Sequence, residues 1–197
     1  MSGEKNVMQF ITFLTEFIKN PKNIGAISPS SKKLAKKMVE TICFEKAQCI
    51  VELGPGTGSF TKELMKRKEK TTKLILIEYN ETFCERLRQQ FEHEPSVIVI
   101  HGSAEDLCMY MAALNIEKID YVVSGLPFTS LNPAVSSRIL HNVKDCIEDG
   151  EFITFQYSLV RKSYIQQFFE NISHEKVWVN LPPAYVLSCK LGNKRAS

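Results

Sequence analysis

Gln48-Cys49-Ile50-Val51-Glu52-Leu53-Gly54-Pro55-Gly56-Thr57-Gly58-Ser59-Phe60 is the stretch on which the reading of this chain turns. Its short apolar run has the make-up of a strand buried on both faces, and it stops at glycines 54, 56 and 58. Glycine tolerates a tight turn and lets backbone amides approach a ligand closely. Three of the chain's nine glycines fall within these five residues, which points to a backbone requirement. A helix follows, with Thr61, Leu64 and Met65 as its first inward positions. Strand, turn and helix make a nucleotide-binding unit. The dinucleotide fingerprint G-x-G-x-x-G would need its third glycine at Ser59, whereas the order here is G-x-G-x-G with Glu52 two residues ahead.

That order resembles the first motif of the class I S-adenosylmethionine-dependent methyltransferases. The resemblance implies S-adenosylmethionine as cofactor, S-adenosylhomocysteine as product, and a pocket formed by Glu52, Gly54, Pro55, Gly56, Thr57 and Gly58. Residues 73–78 read as the second strand and end in Glu78, 20 positions beyond Gly58. A carboxylate there can accept both ribose hydroxyls of a bound nucleoside, with Tyr79 beside it. Residues 97–100 form a third apolar strand. Gly102, Ser103 and Ala104 after it leave room for a flat ring, and a carboxylate at Glu105 or Asp106 can accept from an adenine amino group while the other caps a helix. His101 reads as a structural strand end.

At 197 residues the chain suits one α/β domain with a substantial core. No apolar run reaches the roughly 18 residues of a membrane-spanning helix, and no secretory cleavage site follows the charged first 20 residues. These features predict a cytoplasmic protein whose membrane contact is peripheral, at the inner face. Six cysteines without a C-x-x-C pair suggest neither a zinc site nor a disulfide framework, so small core residues are expected and no metal. The net charge is +3, yet lysines gather before the glycine turn at 19, 22, 32, 33, 36 and 37 and after it from 62 to 73. Such clusters mark either an anionic partner, nucleic acid or a lipid surface, or a solvated helix face.

Residues 5–19 carry Val7, Phe10, Ile11, Leu14, Phe17 and Ile18 at helical spacing, which describes a helix covering the core or lying in a lipid interface. The aperiodic stretch after it places Ile27 and Ser28 in the wall of the cofactor pocket, ahead of a helix carrying Leu34, Ala35, Met38 and Val39. Residues 119–123 form the fourth strand. The peptide that follows, Ser124-Gly125-Leu126-Pro127-Phe128, borders the reacting centre, because ligands of open α/β sheets bind beyond the carboxyl ends of the strands. A helix over 131–143, a fifth strand over 152–157, a helix over 161–169 and a hairpin of 175–180 with 184–191 complete the chain. This divides it into N-terminal helices over 1–45, a methyltransferase domain over 46–192 and a tail over 193–197.

With these pieces placed, the chain resembles the bacterial phospholipid N-methyltransferases over nearly its whole length, and more distantly the rRNA adenine dimethyltransferases. The marks are Gly25-Ala26-Ile27-Ser28-Pro29-Ser30-Ser31, the glycine motif, Ser124-Gly125-Leu126-Pro127 and Asn180-Leu181-Pro182-Pro183-Ala184. The resemblance implies a Rossmann-like fold: a seven-stranded, mostly parallel sheet in the order 3-2-1-4-5-7-6, helices on both faces and an N-terminal helical extension. The adenine enzymes carry Asn-Leu-Pro-aromatic, whose asparagine and prolyl loop hold the target amine while the ring stacks on the base. Here the peptide is Gly125-Leu126-Pro127-Phe128, so the ring remains and the asparagine side chain is gone. Methylation of the amine of phosphatidylethanolamine is therefore the leading expectation, with a phospholipid head group or anionic membrane as partner. rRNA adenine N-methylation is the alternative, and a cofactor-binding domain without acceptor activity the third. Tyr157 or the Ser124 hydroxyl can orient the amine, no side chain is assigned as base, and a monomer is expected.

Overall fold

A strand that lies in the middle of a sheet must be apolar on both faces, and β1 (Cys49–Leu53) is buried at every residue. The computed structural model describes residues 29–128, 131–157, 159, 162–178 and 184–192. The expectations for 5–19, Ile27, Ser28, 180–183 and 193–197 lie outside these. β2 (Lys73–Glu78) and β4 (Tyr121–Ser124) flank β1 in parallel, β3 (Val97–His101) lies beyond β2, and β5 (Glu151–Gln156) lies beyond β4. β7 (Ala184–Lys190) pairs antiparallel with β5, and β6 (Asn171–Val177) closes the edge, so the order is β3-β2-β1-β4-β5-β7-β6, as expected. The chain changes direction across the sheet between β1 and β4, which opens a crevice at their carboxyl ends.

Alternation along the strands sorts the core into two layers. Val51, Leu53, Ile75, Ile77, Val122, Phe152 and Leu187 face α4 (Leu107–Ala113) and α5 (Pro133–Ile147). Ile50, Leu74, Leu76, Val123 and Ile153 face α1 (Pro29–Met38), α2 (Ser59–Arg67) and α3 (Glu81–Gln90). Asn132 caps α5 by accepting from the Ala134 amide at 2.8 Å, with Pro133 at the first helical position. The apolar stripe of that helix runs on through Val143 to Ile147, which carries it one turn past the expected end.

Three details differ from the sequence reading. β6 begins at Asn171 rather than 175, because pairing with the whole length of β7 recruits polar residues of an edge strand that show no period. The helix expected over 161–169 is reduced to α6 (Lys162–Ile165), and Phe168 and Phe169 enter the core from the turns after it. Cys108 and Cys146, expected as free thiols, are bridged in a disulfide between α4 and α5. Helix packing brings their Cα atoms to 6.0 Å across 38 residues, a proximity no local spacing could announce. Cys49, Cys84 and Cys189 are the buried thiols foreseen, and burial pushes them up to about 11, 11 and 12.

Phe152 is fully buried, stacked on Phe169 at 5.4 Å and edge-on to Phe128 at 6.0 Å. Phe152→Ala should therefore lower the unfolding free energy by about 3–5 kcal/mol in urea titrations, with an unchanged m-value.

Candidate cofactor and acceptor site

The glycine turn needs glycine for its backbone alone. Gly54, Gly56 and Gly58 have φ of 67°, 54° and 76°, in the left-handed region that other residues enter at a cost. Gly58 then caps α2, and its carbonyl accepts from the Lys62 amide at 3.0 Å. On the other side of the crevice, Gly125 donates to the Leu53 carbonyl at 2.9 Å. The two loops touch: a Cβ at Gly125 would stand 2.8 Å from the Gly54 carbonyl, and one at Gly54 would stand 2.6 Å from the Leu126 side chain. Glycine in place of asparagine at 125 thus has a steric reason in this fold.

Two carboxyls lie at this end of the sheet, on the α2 side. Glu78 is 3% exposed; its Oε2 accepts from the Gly56 amide at 2.9 Å and its Oε1 from the Asn80 amide at 2.8 Å. The acid expected to face a ribose therefore also ties the glycine turn to the end of β2. Burial raises its pKa, and the backbone donors of Asn80, Gly56 and Tyr79 oppose that. Glu52 is fully buried, and neither of its oxygens has a partner of hydrogen-bonding geometry. Burial pushes it up to about 8, only partly offset by the nearby Thr61 hydroxyl and amide, while the Glu78 charge adds to the rise. Thr61, on the facing side of α2, keeps its own hydroxyl unpaired.

The other expected residues are distributed less simply. Tyr79 is exposed, and its carbonyl accepts from His101 Nε2 at 3.1 Å, which gives His101 the structural role expected. The room foreseen beside Gly102, Ser103 and Ala104 is filled at Gly102, where a Cβ would lie 2.0 Å from the Tyr110 hydroxyl. Ser103 caps the short 3-10 turn by accepting from the Glu105 amide at 3.2 Å. Glu105 is drawn into an ion pair with Arg138 of α5, while Asp106 bonds the Tyr110 hydroxyl. Neither acid therefore stands free for an adenine amine in this arrangement. Pro55 is buried and Thr57 exposed within the turn.

At the acceptor loop, Ser124 is fully buried and its Oγ accepts from the Leu126 amide at 3.2 Å, so that oxygen stiffens the turn. Phe128 corrects the sequence reading. The ring expected to offer a stacking face is wholly buried against Phe152, because the apolar layer under α5 takes it in. Leu126 is likewise buried, and Pro127 half-buried. Tyr157, just past β5, is exposed and packs edge-on to Phe155 at 5.6 Å. Sequence reasoning misses the residue before it. Gln156 is 3% exposed with neither amide atom paired, and Thr154 and Ser136 also keep unpaired buried hydroxyls. A polar residue closing an apolar strand was the available signal.

Fold and site together define a class I methyltransferase, and S-adenosylmethionine is its methyl donor. The protein resembles the S-adenosylmethionine-dependent methyltransferase of Aquifex aeolicus in fold, with a TM-score of 0.63 at 14% identity over 88% of this chain and 99% of that one. The family model described as ribosomal RNA adenine dimethylase matches residues 18–140, and the chain belongs to that family. It is 32% identical to the ornithine lipid N-methyltransferase of Singulisphaera acidiphila, over 92% of this chain and 95% of that protein. It is 27% identical to ribosomal RNA small subunit methyltransferase A of Mycoplasma mycoides, over 84% of this chain and 66% of that one. The residues present fit the methyl donor: the left-handed glycines keep the turn free of side chains, and an orphaned carboxyl at Glu52 lies two residues ahead of it. Among the described residues no helix is long and apolar enough to cross a membrane, and no cluster of His, Cys, Asp and Glu could hold a metal.

The buried acid makes stability depend on pH. The folded-state value of Glu52, about 8, lies above the ordinary 4.5, so folding favours the protonated form. That contribution is complete below pH 4.5 and is lost as the pH rises through about 8. In urea titrations at pH 5, 7 and 9, ligand-free Glu52→Gln should flatten the decline. It should exceed wild type at pH 9 by on the order of a few kcal/mol.

Proposed function

We propose that the protein methylates the primary amine of a membrane lipid, the terminal amine of an ornithine lipid or the ethanolamine of phosphatidylethanolamine. The observation that carries this reading is the acceptor loop: Gly125 has no side chain and no space for one, and Phe128 is buried. A planar base would find neither the carboxamide nor the ring that the Asn-Leu-Pro-aromatic peptide gives it. Similarity to the ornithine lipid enzyme along both whole chains supports the same assignment.

In this reading Glu78 and Tyr79 hold the nucleoside beside Ser103 and Ala104, and Glu52 and the glycine turn hold the amino-acid part. Ile27 and Ser28, outside the described residues, are assigned to the wall from the sequence alone. When bound, S-adenosylmethionine supplies a methyl group activated on a sulfonium sulfur. The Ser124-Gly125-Leu126-Pro127 carbonyls and Tyr157 orient the amine. An alkylammonium has a pKa near roughly 10 and must shed its proton before it can attack. Positioning and exclusion of water supply the rest, since the S–CH3 bond breaks as the N–CH3 bond forms and the positive charge, carried from sulfur to nitrogen, is spread between them in the transition state. The lysines around the glycine turn and the apolar stripe of residues 5–19 provide for a peripheral contact with an anionic membrane on the cytoplasmic side.

The family match itself favours a second reading, N-methylation of adenine in rRNA. Methyl-labelled S-adenosylmethionine offered with ornithine lipid vesicles, phosphatidylethanolamine vesicles or unmethylated ribosomal RNA separates the readings. Label should enter lipid and not RNA, and label in RNA alone would overturn the assignment. Glu78→Ala should weaken S-adenosylhomocysteine binding in calorimetry by about 1–3 kcal/mol, through the lost ribose acceptor and the untied turn.

A further inference from the structure

Gln156 sits where strand registers bring it to the acceptor loop. Ser124 of β4 is level with Thr154 of β5, so Gln156, two residues on, is level with Leu126 and faces the same side of the sheet as Ser124 and Thr154. Across β7 it pairs with Tyr185, whose ring packs on the layer under α5. That layer also receives Ser136, buried in the first turn of α5, and the amino end of this helix lies toward the carboxyl ends of the strands.

Buried amides and hydroxyls are nearly always paired, since an unpaired one forfeits its hydration. Here three polar side chains share one layer at one end of the sheet, and all lack partners: Gln156 at 3% exposed, Thr154 and Ser136 at 0%. Ser124 is excluded from the group because its Oγ already accepts from Leu126. Among the described residues nothing pairs with the Gln156 amide. A group kept at such a cost beside the acceptor loop has the chemistry to serve a ligand.

We propose that the Gln156 carboxamide, flanked by Thr154 and Ser136, is the subsite that receives the acceptor amine and holds it beside the Gly125-Leu126-Pro127 loop. The amide oxygen accepts an N–H of the amine, which leaves the nitrogen lone pair unshared. The adenine enzymes take a carboxamide from the loop itself; here the neighbouring strand supplies one, level with Leu126 and one residue beyond Gly125. The subsite suits a primary or secondary alkylamine and rests on the methyl-transfer reading above.

The test compares wild type with Gln156→Met and Gln156→Asn in the full-length protein, using vesicles of ornithine lipid with phosphatidylglycerol. Methionine keeps the volume and removes the amide. Gln156→Met should retain the wild-type Kd for S-adenosylhomocysteine within about twofold and melt no lower than wild type, while kcat/KM for the lipid falls ~30-fold. Gln156→Asn, which keeps a carboxamide, should recover part of that loss. Turnover by Gln156→Met equal to wild type would overturn the proposal. So would a variant that no longer folds or no longer binds S-adenosylhomocysteine, since the amide would then be serving the fold or the cofactor. A wild type that methylates RNA but no aminolipid sinks the functional reading and this subsite together. A wild type active on lipid with an indifferent Gln156 sinks the subsite alone.

Discussion

The close approach of two backbones at the carboxyl ends of β1 and β4 is the constraint on which this structure depends. Gly54 and Gly125 lie so near each other that a Cβ on the second would stand 2.8 Å from the carbonyl of the first. That contact narrows the switch point of the sheet and fixes the glycine turn relative to the Leu126-Pro127 peptide. Glu78 holds the same turn from the other side through the Gly56 amide. A turn of three left-handed glycines would be loose on its own. Held between a neighbouring loop and a buried acceptor, with its Gly54, Gly56 and Gly58 amides bonded to Ile77, Glu78 and Pro55, it becomes a rigid wall without side chains, which is what a pre-organised ligand site needs.

The same constraint decides what an acceptor can meet. With no side chain at 125, the loop has only backbone groups to offer there, and its Leu126 and Pro127 carbonyls already accept from the Phe128 and Leu131 amides. Recognition of a flat base needs more, namely a second polar group in the plane and a ring above it. Phe128 cannot give the ring while it forms the edge-to-face contact with Phe152 in the core. Exposing it would open a void where the largest side chains of that layer meet. Packing thus removes from this loop both the side chain and the ring that recognition of a flat base would use.

Much of this was legible in sequence because the deciding features are local. Residues 48–60 show β1, the turn and α2 within one window, and the apolar runs ending at Glu78 and Ser124 show the neighbouring strands. Asn132-Pro133 announces the start of α5 by capping chemistry alone. What was not legible is set by long-range packing. β6 has polar residues on an edge and borrows its order from β7, so no period marks its start. The Cys108–Cys146 bridge and the burial of Phe128 depend on where α4 and α5 lie over the sheet. Gln156 looks like any strand-end polar residue until burial and an empty hydrogen-bond inventory are known together.

The two acids close the electrostatic argument. Glu52 and Glu78 sit on neighbouring strands and on one face, so ionising one opposes ionising the other, and burial opposes both. Glu78 meets that opposition with backbone donors, whereas Glu52 has none of good geometry. The ligand-free site is therefore short of positive charge. A cation brought beside Glu52 acts against burial and favours the carboxylate, so its arrival and the departure of a proton are one linked event. S-adenosylmethionine carries cationic charge at its sulfonium and its amine, and its demethylated product keeps only the amine. In the proposed site, uptake of that cationic donor is coupled to loss of a proton from Glu52.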